Sequence, residues 1–284
     1  MAFTATEREV NMSGKLYIVG TPIGNLGDFS PRAVETLQSV DFIAAEDTRV
    51  TIKLLNHFEI ATPMVSYHEH NIRSRGEYIT DRILNGENCA IVTDAGMPAI
   101  SDPGEDLVKL CHERGIKVET VPGPTAMATA LAISGMSVGR FCFEGFLTTV
   151  KSNRMAHLNS LKNEERTMVF YEAPHKLLST LKDMYKTFGN REIALVKELT
   201  KLHETAERTN LKDAIDAFEI NAPKGEYVLI VDGAKEEVTT VALEDAVEYA
   251  KRLVAQGMPS SAAAKEAAKV TGFKKSDIYS EIVK

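Results

Sequence analysis

Cysteine is scarce in this chain: Cys89, Cys111 and Cys142 are an odd number with no paired spacing. That excludes a disulfide framework and points to a reducing compartment, the cytoplasm. Long apolar runs are missing too, and no stretch approaches the roughly 18 residues that a bilayer crossing needs. The opening residues lack the basic start and apolar core of a signal peptide, so 1–13 are expected to be a disordered leader, with Met12 as an alternative start. An excess of positive charge is also absent, the formal net charge being −7. This is only a weak veto on nucleic acid, because local lysine and arginine clusters, not the total, set phosphate binding. Neither the P-loop nor the G-x-G-x-x-G fingerprint occurs after a strand. In the first loop, Gly20-Thr21-Pro22-Ile23-Gly24, the glycines are four apart, no lysine follows, and Pro22 removes an amide donor.

What is present is an ordinary soluble composition, 44% hydrophobic and 26% charged, over 284 residues. That length accommodates about two domains, each with its own core. The stretch 89–104, CAIVTDAGMPAISDPG, carries the most information. Cys89–Thr93 reads as a buried parallel strand. The following loop holds Gly96, Pro98, Pro103 and Gly104, two carboxylates expected to be exposed (Asp94 and Asp102), and an apolar shelf of Met97, Ala99 and Ile100. Loops at the carboxyl ends of parallel strands are where open α/β sheets bind ligands. This mixture suits a ligand with a charged amino-acid end and an apolar body.

Strands and helices alternate along 16–121, a βαβ series that builds a largely parallel sheet. Strands are expected at Leu16–Val19, Phe42–Ala45, Met64–Tyr67, Cys89–Thr93 and Lys117–Val121. The helix from Pro31 to Ser39 has Ser30 as N-cap and proline at its first position. A small-residue helix from Thr125 to Ser134 then leads into a second α/β domain of mixed sheet. Its expected strands are Arg140–Phe146, Thr167–Tyr171, Glu192–Lys197 and Tyr227–Val231. Beyond 242 the chain is alanine-rich and helical, broken at Gly257-Met258-Pro259 and Gly272, which suits a helix-turn-helix-like module. The expected domains are therefore 14–125, 126–234 and 235–284. Residues 235–284 hold eight basic and eight acidic side chains, so the whole −7 resides in 1–234. Within the tail, 265–284 carry five lysines against three acids, which fits a polyanion-facing surface or simply a solvated helix.

Other strand ends also hold polar clusters. Glu46-Asp47-Thr48-Arg49 suits function, although Asp47 and Thr48 could merely cap the next helix. His68-Glu69-His70 lacks a third ligand at metal spacing and is read as a polar loop, so no metal is expected. Tyr171 to His175 and Lys197 to Lys201 close strands in the second domain, where Glu198 with a lysine could be only a surface ion pair. The helix 125–134 either packs on a sheet or admits a flat ligand.

Eight segments together resemble the tetrapyrrole-methylase superfamily: LYIVGTPIGNLG (16–27), AEDTR (45–49), SYHEHN (66–71), TDAGMPAISDPG (93–104), PGPTA (122–126), FYEAPH (170–175), KELTKLHE (197–204) and KGEYVLIV (224–231). KVTGFKKSDIYSEIV (269–283) resembles the helical module that ends many such enzymes. Thr125 departs from the serine common in relatives but keeps the hydroxyl. The resemblance is closest to the branch that 2′-O-methylates a cytidine in the decoding region of 16S ribosomal RNA. It implies two α/β domains with a donor-binding cleft between them, a homodimer, S-adenosylmethionine as donor, and 16S rRNA, within the small ribosomal subunit, as partner.

Carried over by position, the resemblance gives donor contacts to Pro22 and Ile23, to Asp94, Ala95, Gly96, Met97, Pro98 and Ile100, and to Thr125 and Ala126. Glu172, Ala173 and Leu199 would surround the adenine, with Gly225 and Glu226 on the far side. A neutral 2′-hydroxyl is a poor nucleophile and gains from a base or a nearby cation. Glu46, Asp47, His68, Glu69, Glu198 and Lys201 are the candidates, with Glu46 and Lys201 preferred. Arg73, Arg75, Lys151, Arg154, Lys274 and Lys275 are expected to be exposed and to meet RNA. The rival readings are a methylase of a small tetrapyrrole, a nucleotide hydrolase with clustered acids around Mg²⁺, and a catalytically silent RNA-binding scaffold.

Overall fold

The computed structural model describes residues 13–235 and 242–284. The expected leader, 1–13, lies almost wholly outside the described residues. The chain forms two compact units, the first ending at Ala234 and the second beginning at Lys235.

The first unit opens with an alternating series: β1 (Lys15–Val19), α1 (Pro31–Ser39), β2 (Phe42–Ala45), α2 (Thr48–His57), β3 (Met64–Ser66), α3 (Ile72–Leu84), β4 (Cys89–Val92), α4 (Glu105–Glu113) and β5 (Lys117–Val121). The five strands make one parallel sheet in the order β3-β2-β4-β1-β5. Helices cover both faces, which is why β2 and β4 are buried at every residue and read as continuous apolar runs. Leu16, Ile18, Phe42, Ala44 and Ile91 pack with Ile79, Ile83 and Leu107 on one face. Val19, Ile43, Ala45, Ala90 and Val92 pack with Ala33, Leu37 and Leu55 on the other. The start of α1 is set locally: the Ser30 hydroxyl accepts the Ala33 amide at 3.1 Å and Pro31 fills the first turn.

A second sheet follows: α5 (Ala126–Ile133), β6 (Phe141–Phe146), α6 (Lys151–Ser160), β7 (Thr167–Glu172), α7 (Pro174–Phe188), β8 (Glu192–Lys197), β9 (Thr205–Asn210), α8 (Leu211–Ile220) and β10 (Tyr227–Val231). Its order is β6-β7-β10-β8-β9, with β6 parallel to β7 and the other pairs antiparallel. Alternate residues of β7 and β10 serve opposite faces. Met168, Phe170, Leu229 and Val231 meet α7 and α8, while Val169, Val228 and Ile230 meet Ala130 and Leu131 of α5. The small-residue helix is thus packed on a sheet. This is the mixed α/β architecture expected.

Two elements were not anticipated. β9 reads TAERTN and is exposed over its first four residues, a polar edge strand with no apolar alternation to betray it. α8 did carry a signal in Leu211, Ala214, Ile215 and Phe218 at helical spacing behind the N-cap Asn210, whose side chain accepts the Asp213 amide at 2.9 Å.

Arg154 corrects another expectation. It is 9% exposed, not open to solvent. Its guanidinium donates to Asp183 at 2.9 and 2.8 Å and to the carbonyls of Thr148 and Thr149. A charge removed from water needs such partners, so this arginine holds α6 to α7 and does not face RNA.

In the second unit, α9 (Leu243–Ala255), α10 (Ser260–Thr271) and α11 (Lys275–Ile282) pack on one another. Ala246, Val247, Ala250, Ala264, Ala267 and Ile278 form their core. Small residues allow these short helices close approach. Gly272 ends α10 in the left-handed conformation, φ 79°, its amide on the Ala268 carbonyl.

Candidate active site

The carboxyl ends of the parallel strands converge on a cavity of about 420 Å³ inside the first unit. From the first sheet it is lined by Ile23 after β1, Glu46 after β2, Asp94 to Met97 and Ile100 to Asp102 after β4, and Thr125 and Ala126 after β5. The second sheet supplies Phe146, Tyr171 to Ala173, Val196, Glu198, Leu199, Lys201 and Glu226 to Val228. Because β10 runs antiparallel to β7 and β8, its first residues lie beside their last ones. Tyr227 is opposite both Glu172 and Lys197.

The loops are bound into a common frame. Thr21 and Gly96 exchange both backbone hydrogen bonds, at 2.9 and 3.1 Å, so the β1 and β4 loops form one piece. The Gly123 amide donates to the Met97 sulfur at 3.3 Å. Gly20 and Gly123 approach so closely that a Cβ on either would come within 2.8 Å of the other's Cα. The first glycine-rich loop therefore serves close backbone packing.

Among the described residues, five non-glycine residues have positive φ, and four lie in two loops lining this cavity: Ala99 (69°), Ser101 (67°), Glu198 (52°) and Thr200 (65°). Such conformations cost of order 1–3 kcal/mol each and cluster where geometry matters more than stability.

Among the acidic residues that line the cavity, three on the first sheet's loops are shifted by their surroundings. Burial raises the Glu46 carboxyl above its ordinary value, and Asp94, Glu69 and Asp47 add repulsion. Its Oε2 accepts the Asp94 amide at 3.4 Å. Asp94 is likewise raised, first by burial and then by Asp47. Asp102, expected to be exposed, is half-buried, and burial with Glu46 and Asp94 pushes it up to about 6. Asp47 behaves oppositely: it caps α2 and the Arg49 guanidinium holds it near 2.

Of the two preferred catalytic residues, Glu46 and Lys201 both line the cavity. Lys201 Nζ sits 3.3 Å from Glu198. Most of the expected donor contacts line it too. Pro22 and Pro98 do not: Pro22 follows the Thr21 bridge, and Pro98 is buried behind its loop. Gly225 lies behind Glu198, where a Cβ would meet its Oε1 at 2.5 Å. The Thr125 hydroxyl caps α5 on the Ala128 amide. The Glu172 carboxylate is spent on Thr180, Lys176 and its neighbour's amide, leaving backbone to face the cavity. Asp47 and the His68–His70 cluster lie outside the lining. Among the described residues no three histidine, cysteine or acidic side chains converge as a metal would require.

Sequence reasoning missed Ser101, Phe146, Val196, Tyr227 and Val228, and it noted Tyr171 only as closing a strand. Strand pairing brings β10's start to the site; the segment 224–231 pointed to Glu226 there but not to the Tyr227 and Val228 that follow it.

Residues 15–215 match the family described as Tetrapyrrole (Corrin/Porphyrin) Methylases. A protein of Synechocystis sp. named Ribosomal RNA small subunit methyltransferase I is 48% identical over 94% of this chain and 96% of its own length. One of the same name from Thermotoga maritima is 49% identical over 78% of this chain and 99% of its own. Among solved structures, diphthine synthase superposes with a TM-score of 0.59 at 10% identity over 78% of this chain and 90% of that one. Uroporphyrin-III C-methyltransferase of Thermus thermophilus, solved with S-adenosyl homocysteine, gives 0.55 at 15% identity over 76% and 97%. These two structures bear on the fold alone. Family match, identity and fold agree: the chain belongs to the tetrapyrrole methylases.

Proposed function

We propose that this chain transfers a methyl group from S-adenosylmethionine to the 2′-hydroxyl of a cytidine in the decoding region of small-subunit ribosomal RNA. Identity of 48% to a relative named for small-subunit RNA methylation, along nearly the full length of both chains, carries this reading. The assembled small subunit in the cytoplasm is its proposed substrate, and a homodimer its working form.

The cavity suits the donor chemically. A sulfonium and an α-ammonium are cations, and Glu46, Asp94 and Asp102 supply negative charge. Ile23, Met97, Leu199 and Val228 give apolar walls for an adenine. Bound there, S-adenosylmethionine supplies an electrophilic methyl group for in-line displacement.

Positioning of the acceptor oxygen is then the main contribution of the protein. Glu46, its pKa raised by burial and neighbouring acids, is a stronger base than an exposed carboxylate and accepts the hydroxyl proton. Lys201 stabilises the developing alkoxide from the opposite wall. Exposed Arg73, Arg75 and Lys151, with Lys274 and Lys275 of the second unit, contact phosphates.

The test is methyl incorporation from labelled S-adenosylmethionine into small subunits that lack the modification. Wild-type protein labels one ribose, while E46Q and K201A lower kcat about 100-fold with donor affinity within threefold. No labelling by wild type overturns the function. Wild-type kcat in both variants overturns the residue assignment.

A further inference from the structure

Phe146 has no role in the chemistry above, yet its ring reaches the cavity from the last position of β6 and is 55% exposed. A large apolar side chain left open at the mouth of an active site calls for a reason.

Its orientation comes from a backbone irregularity. In a regular strand, residues three apart point to opposite faces. Phe143 and Phe146 nevertheless both pack on Tyr171, with ring centroids 4.9 and 5.4 Å away. The β6–β7 register slips between Phe143 and Gly145, placing Phe143 opposite Val169 and Phe146 opposite Tyr171. Gly145 adopts φ +62°, which the bulge requires, and a Cβ there would come within 3.3 Å of Ser101 Oγ. Bulges in parallel pairs are rare and re-aim side chains next to active sites. Here the bulge turns Phe146 onto the cavity face.

The ring is also supported. Tyr171 is held by the Met127 amide, which donates to its hydroxyl at 3.0 Å. Lys176 Nζ, paired with Glu172 at 3.1 Å, lies 5.8 Å from the Phe146 centroid. A braced aromatic surface with a cation at its edge matches an unstacked nucleobase and the phosphate beside it. The donor already has apolar walls in Ile23, Met97, Leu199 and Val228.

We propose that Phe146 is the platform on which the base of the acceptor nucleotide stacks, fixing its ribose towards the methyl group. This rests on the RNA-methylation reading. Phe146 is a specificity-determining residue that touches substrate and takes no part in proton transfer.

The experiment compares wild type, F146A, F146L and F146W on unmodified small subunits at saturating donor, with donor affinity measured separately by calorimetry. F146A and F146L are expected to lose about tenfold or more in kcat/KM, the loss typical of one base–aromatic stack. F146W is expected within threefold of wild type, and all four should bind donor within twofold. The position is half-exposed, so the variants are expected to keep the wild-type melting temperature, which is measured alongside. F146A within twofold of wild type overturns the platform, as does full rescue by leucine, which would need only an apolar wall. Donor affinity falling in step with activity also overturns it, by moving the ring to the donor. Wild type that labels no RNA overturns the function itself, a result distinct from any of these.

Discussion

Individual charges in this protein are governed by how far each is removed from water. The Arg154–Asp183 pair leaves only 10% of each side chain exposed, so losing either partner strands the other. R154A is expected to cost about 3–5 kcal/mol in denaturant unfolding, while R75A, on an exposed arginine, stays within about 0.5 kcal/mol. Asp102 shows the opposite sign. Its carboxyl is pushed up to about 6, so the folded protein holds that proton more tightly than the unfolded chain. The resulting stability is fully present below about pH 4 and is lost as pH rises through 6. D102N therefore flattens the fall in unfolding free energy between pH 4 and 6, measured by urea midpoints at unit steps. Above 6 the same carboxylate makes the cavity more negative, so wild type binds S-adenosylmethionine more tightly at pH 7 than at pH 5, a gain that D102N reduces. At this scale the sequence pointed to Glu46, Asp94 and Lys201 because each follows a strand whose end could be read. It misassigned Arg154 because burial depends on Asp183, 29 positions away.

Among the elements, strands buried on both faces were legible with their limits, as Phe42–Ala45, Glu192–Lys197 and Tyr227–Val231 show. Apolar composition and flanking turn residues suffice there. β9 was illegible for the complementary reason: an edge strand buries little and needs charge to stay unpaired, so TAERTN looks like a loop. The β6 bulge was passed over although Gly145, a glycine inside a strand, is the local sign of one. Three of the missed site residues depend on pairing between strands. Phe146 depends on the bulge, and Tyr227 and Val228 depend on β10 running antiparallel between β7 and β8.

For the whole molecule, the two units have separate cores. Every residue lining the cavity lies before Ala234. The Thermotoga maritima relative is matched over 99% of its length by 78% of this chain, so about a fifth of this chain has no counterpart there. Deleting 235–284 is therefore expected to leave donor affinity unchanged in calorimetry. It should weaken binding to small subunits and flatten the salt dependence, since the charges of Lys274 and Lys275 are lost. Unchanged affinity for the particle would remove the second unit from RNA recognition. The strand order carries one more consequence, for the making of the protein. Among the described strands of its sheet, β10 is the last synthesised yet takes the middle. A nascent chain reaching only Asn221 already contains β7 and β8 but has nothing to join them, and the wall from Glu226 to Val228 is still missing. A copy that stops short of β10 thus cannot assemble the cavity, and methylating capacity waits for that strand.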